Sequence, residues 1–115
     1  MATHEDAMLL MQILQWGAMS RLEEATNTVF ANGFDAASAK QSDDGVRAVL
    51  TFGEILGTFV KNNVLNKDLV LDMWAVELLW SRVGPAAKRA REQYNEPRLF
   101  ENFEALASDA SGSRS

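Results

Sequence analysis

Apolar residues recur every three to four positions through most of the chain. No run alternates long enough with the period of two that marks a strand, so the pattern predicts an all-α fold. Thr3, with Asp6 three residues on, reads as a helix cap with an acid in the first turn. That helix is expected to continue to about Ala31, where Asn32-Gly33 is a stop signal. Ser42, Asp43 and Asp44 open a second helix, with acids where the helix dipole favours them; it runs through Phe59 to Asn62-Asn63. Asn66 and Asp68 open a third, whose periodicity persists to about Tyr94. Pro85, following Gly84, takes away the hydrogen bond to the Ser81 carbonyl and predicts a kink or brief break there. Glu96-Pro97 begins a fourth, short helix, with Leu99, Phe103 and Leu106 along one side. The expectation is a small bundle of three long helices and one short one, forming a single domain over residues 1–107. Residues 108–115 are small and polar and read as a flexible tail.

Two of these helices lack the polar face of an ordinary surface helix. In Leu69–Trp80, Asp72 and Glu77 are the polar residues; Leu69, Met73, Val76 and Trp80 share one face, while Leu71, Trp74, Ala75 and Leu78 lie roughly opposite. The first helix offers little beyond Gln12 and Gln15 to interrupt Met8-Leu9-Leu10-Met11, Ile13-Leu14 and Trp16. Four helices of this size cannot surround two of their own members, and large exposed apolar patches mark interfaces. The leading expectation is therefore a protein–protein interaction module, either a homo-oligomer or an accessory subunit of a larger complex. Met11, Trp16, Leu71, Trp74 and Leu78 are the candidate contact residues. The competing arrangement tucks one helix centrally and covers its far side with the fourth.

Composition narrows the classes. A chain of 115 residues that is 47% hydrophobic and 23% charged can bury roughly two thirds of its unfolded surface. The absence of cysteine removes disulfides, thiolate nucleophiles and zinc–thiolate sites together, and fits a reducing, cytoplasmic setting. The apolar-rich run Ala7–Met19 is too short and too interrupted to span a bilayer, and His4, Glu5 and Asp6 replace the positive start of a secretory signal. The net charge of −5 is uneven: residues 1–44 carry seven acids against Arg21 and Lys40, while residues 82–98 carry five bases against Glu92 and Glu96. An acidic total opposes nucleic-acid binding, which depends on phosphate neutralisation.

The chemistry-bearing residues are sparse. His4, the lone histidine, sits at a chain end rather than in a cleft. Glu54 and Glu77 lie beside apolar faces, but neither has a histidine at di-metal spacing; ion pairs to Arg47 or Arg82, or a place at the rim, account for them better. Arg82, Lys88, Arg89, Arg91 and Arg98 can receive an acidic partner or simply form a solvated face near a helix C-terminus. Gly53 and Gly57 make a G-x-x-x-G on the second helix, read as tight packing within the chain, with a dimer seam or ligand groove as alternatives. Trp16, Trp74 and Trp80 are read as core or interface, the alternative being a small hydrophobic-ligand pocket lined by tryptophan and methionine in a sensory domain. No catalytic residue, metal site or cofactor site is expected.

The segments FGEILGTFVKNN, VLNKDLVLDMWA, LLWSRVGPAAKRAR and PRLFENFEALA resemble a bacterial family known as domain of unknown function 4760. The likeness covers roughly residues 50–107 and is carried by Gly57, Asp68, Leu69, Val70, Trp80, Pro85, Arg89 or Arg91, and Phe103-Glu104. It implies helical architecture and no reaction, so it transfers no functional residue.

Overall fold

The computed structural model describes residues 2–114, with side chains as far as Ala110. Among these residues the chain is all-helical: α1 (His4–Met19), α2 (Leu22–Phe30), α3 (Asp44–Lys61), α4 (Lys67–Met73), α5 (Val76–Gln93) and α6 (Glu101–Arg114). The all-α expectation holds, but six helices replace the anticipated three long and one short. α3 keeps the bounds that its flanking acids and asparagines mark. The other two long helices are each divided in two.

The first division falls at Ser20-Arg21. The Ser20 hydroxyl donates to the Trp16 carbonyl oxygen at 2.9 Å, and Arg21 takes a left-handed backbone conformation (φ 59°) that ends the helical run. The second falls at Trp74-Ala75, where Trp74 is extended (φ −132°, ψ 145°). Neither place has a glycine or proline. Pro85, by contrast, sits inside α5 without breaking it. The break expected near Pro85 is thus found eleven residues earlier, where Trp74 meets the ring of Phe52 edge-on at 5.1 Å.

α6 also begins later than the proline predicts. Residues 97–100 form a turn, Phe100 is left-handed (φ 59°), and the helix opens at Glu101. It then continues to Arg114, through the segment whose composition reads as a polar tail, and Ala110 is buried.

α3 is the central element. Its Val46, Val49, Leu50, Phe52 and Leu56 are fully or nearly fully enclosed, packed between α2, α5 and α6. Gly53 and Gly57 face α6. A Cβ at Gly53 would overlap the Phe103 ring, and one at Gly57 would overlap the backbone of Asn102 and Phe103. The G-x-x-x-G is therefore an intramolecular notch that lets the α6 backbone lie against α3. Two helical glycines cost about 1 kcal/mol each relative to alanine, and complete burial of Phe103 offsets that.

Gly57→Ala gains helix propensity but pushes on backbone atoms that cannot swing aside. We expect a net loss of about 1–3 kcal/mol and a Tm lower by roughly 5–15 °C, read by thermal circular dichroism. Gly33→Ala is the control, since its added methyl meets nothing within 4 Å. Equal melting of Gly57→Ala and wild type would contradict the notch.

Candidate functional site

The start of α1 is fixed by a capping box. The Asp6 amide donates to Thr3 Oγ1 at 3.2 Å, and Thr3 N–H returns a bond to Asp6 Oδ2 at 2.7 Å. The other Asp6 oxygen accepts the Asn66 amide at 2.8 Å, and Asn66 in turn caps α4 through Leu69 N–H. One buried carboxylate thereby ties the starts of two helices together. The Thr3 amide, then that of Asn66, hold its pKa below the usual 3.8, against the opposing effect of burial.

From this anchor, Asp6, Leu10, Ile13 and Gly17 turn inward at spacings of four, three and four. The other side of α1 faces solvent. Met8 is 56% exposed, Met11 59%, Leu14 39% and Met19 86%. From Ala7 to Ser20 no residue is charged. Within the chain α1 packs chiefly on α2, and it reaches α3 through Trp16, stacked on Phe52 with ring centres 6.4 Å apart. Three turns of helix thus show water a face free of charge and largely apolar, with Gln12 and Gln15 as its polar residues.

The five candidate contact residues separate into two groups. Met11 and Leu78 (51% exposed) project outward. Trp16, Leu71 and Trp74 are half-buried and pack against the core, and the two tryptophans converge on Phe52 from different helices. Met73 and Val64 add exposed apolar side chains on and before α4.

Glu54 was expected in an ion pair with Arg47 or at a rim. Instead its carboxylate caps α6: Oε1 accepts the Asn102 and Phe103 amides at 3.1 and 3.0 Å, and Oε2 accepts Asn102 Nδ2 at 2.9 Å and the Thr58 hydroxyl at 3.2 Å. Arg47 pairs with Asp44 instead. This cap eludes local reading because its partners lie 48 and 49 residues away. The sequence signal that could have found it is an acid set between the two glycines of the notch.

Three members of the basic cluster are likewise turned to the chain's own carbonyls. Arg82 Nε donates to Val29 O at 2.6 Å at the end of α2, and its guanidinium lies over the rings of Phe30 and Phe34. Arg89 holds the carbonyls of Ala36 and Ala39 in the α2–α3 connection. Arg91 donates to Leu99 O at 2.8 Å, pairs with Glu104 at 2.8 Å and lies over Trp80. Lys88 is exposed, and Arg98 is an exposed neighbour of Glu101 at 3.1 Å.

The surface clefts are open and of mixed polarity. Trp16 lines one of about 500 Å³, alongside Ser20, Arg21, Glu24, Thr28 and Arg47. A smaller apolar depression of about 290 Å³ lies over Ile55, Phe59 and Phe100 and contains neither tryptophan nor methionine. Among the described residues no group of three or more His, Asp or Glu is placed to hold a metal ion, and no helix is long and apolar enough to cross a membrane.

The family model described as "Domain of unknown function (DUF4760)" matches residues 3–110. The chain belongs to this family. The match takes in α1 and α2, so membership extends well beyond the second half, where the resemblance lies. No curated protein and no solved structure matches the chain.

Asp6→Asn tests the carboxylate that anchors the candidate face. A folded-state pKa below the unfolded value gives stability that is present above about pH 3.8 and is lost as pH falls through the folded value. In urea titrations the variant should be less stable than wild type at pH 7, and the gap should close below about pH 3.8. A gap that persists undiminished to pH 2 would rule out this role for the charge.

Proposed function

We propose that this chain is a protein–protein interaction module without catalytic activity of its own, self-associating or serving as an accessory subunit in the cytoplasm. The observation that carries the reading is the outward face of α1, where Met8, Met11, Leu14 and Met19 stand exposed with no charge among them. An exposed helix ordinarily gives its solvent side to charged and polar residues. Here that side consists of methionine, leucine, alanine and glutamine. Methionine suits a contact surface because its unbranched thioether adapts to an irregular partner. Fully burying one such side chain is worth roughly 1.5–3 kcal/mol; since these four are partly covered already, docking adds a fraction of that at each. The exposed Leu78 and Met73, flanking the α4–α5 junction, supply further apolar surface.

The electrostatics support a protein as partner. The net charge of −5 and the acids Glu5, Glu23 and Glu24 near the face oppose phosphate-rich surfaces, whether nucleic acid or anionic lipid. The arginines that seem to offer an anion site in the sequence are engaged with carbonyl groups and rings of the chain itself. The cysteine-free composition fits the reducing cytoplasm.

The test compares the native mass of the protein in extracts of its producing cells with that of Met11→Glu. Met11 is exposed, so the substitution should leave unfolding free energy within about 0.5 kcal/mol. Wild type should run in a species heavier than the 12.7 kDa chain, and the variant should return to the single-chain mass. If both run as single chains in concentrated extract, the reading is wrong.

A further inference from the structure

The described methionines all lie outside the core. Met8, Met11, Met19 and Met73 are each more than half exposed, and none belongs to the core or to the half-buried residues packed on it. Methionine is ordinarily among the most buried residue types and a filler of irregular gaps. Here valine, leucine, alanine and phenylalanine do most of the filling. Three of these thioethers share one side of α1: at about 100° per residue, Met8, Met11 and Met19 fall within an arc of about 80°. The opposite side seats the helix through Asp6, Leu10, Ile13 and Gly17, with Trp16 on Phe52, and none of these carries a thioether. A change confined to the outer sulfurs therefore alters what α1 shows without touching what holds it. The chain has no cysteine, so no thiol draws an oxidant away from them.

Resting on the docking role proposed above, we infer that Met8, Met11 and Met19 form a site of reversible sulfoxidation by an oxidant of the peroxide class, which switches the outward face of α1 from apolar to polar. Each sulfur attacks one peroxide oxygen. The O–O bond breaks, an S–O bond forms and sulfur gives up two electrons; the second oxygen leaves as water, taking the proton of the first. A dithiol-dependent methionine sulfoxide reductase reverses the step, releasing the sulfoxide oxygen as water while the dithiol becomes a disulfide. The free chain tolerates the product, because at these exposed positions the new oxygen is solvated. A docked partner must pair that oxygen or bury it, and burying one unpaired polar group weakens docking about tenfold.

The test treats purified wild type with hydrogen peroxide, removes the peroxide and maps the product by peptide mass. Met8, Met11 and Met19 should each gain one oxygen at a rate within about threefold of that in the urea-unfolded chain. The Tm should fall by less than about 5 °C. Oxidation at these three more than about tenfold slower than in the unfolded chain, or loss of the helical circular dichroism on oxidation, would overturn the site. Untreated and oxidised protein are then added separately to desalted extract of cells that lack the chain, so that no partner meets the oxidant. Untreated protein should run in the heavy species and oxidised protein at 12.7 kDa. Methionine sulfoxide reductase with dithiothreitol should restore the heavy species. Oxidised protein that enters it as readily as untreated protein would overturn the switch while upholding the docking face. Single-chain mass of the untreated protein would remove the docking face itself, and the switch with it.

Discussion

The Glu54 carboxylate, reaching from α3 to the first amides of α6, is the contact on which the closed side of the bundle depends. The first N–H groups of a helix have no partner inside it, and Leu99 and Phe100, just before α6, carry no side-chain acceptor to offer them. Glu54 supplies the acceptor from another helix, but only if the two backbones approach closely. Gly53 and Gly57, on either side of it, make that approach possible. The charge also sits where the α6 dipole favours an anion. Cap and notch therefore act together: each carries most of its value when the other is in place.

Several features follow from seating α6 there. Phe103 enters the core completely and meets Trp80 edge-on with ring centres 5.0 Å apart. Trp80 in turn lies under the Arg91 guanidinium, which joins the turn before α6 at Leu99 to Glu104 within it. Arg82 and Arg89, nine and two residues earlier in α5, hold the end of α2 and the connection to α3 in the same manner. α5 thus works as a strut whose arginines bind carbonyls of three neighbouring segments. What reads in the sequence as a basic patch for a partner is largely internal fastening. With α2, α5 and α6 committed to α3, α1 remains peripheral, its inner side covered and its outer side open.

Local signals in the sequence were legible where the physics is local. The Thr3–Asp6 box, the Asn66 cap and the bounds of α3 each follow from residues within a turn or two of the feature they set. The helix breaks were not legible. Ser20-Arg21 and Trp74-Ala75 carry no glycine or proline, and they accompany the convergence of Trp16 and Trp74 on Phe52, a contact between segments far apart in the chain. Pro85 carries a strong local signal yet leaves α5 unbroken, because the surrounding helix is held on both flanks by packing. Of the candidate surface, Met11 and Leu78 could be read from the sequence, since an excess of apolar residues must leave some outside. That α1 would have its outer side open while Leu71 and Trp74 pack against the core depends on contacts between distant segments, such as those of Trp16 and Trp74 with Phe52.

α3 and α6 form a closed pair, and α1 is the side that, under the proposed function, another molecule completes. Amide hydrogen exchange, followed at low and high protein concentration, examines both halves of that statement at once. The Asn102 and Phe103 amides, held by Glu54, should be strongly protected and indifferent to concentration, while amides of residues 8–19 should gain protection as concentration rises. Rapid exchange at Asn102 and Phe103, or concentration-dependent protection in α6 with none in α1, would contradict it.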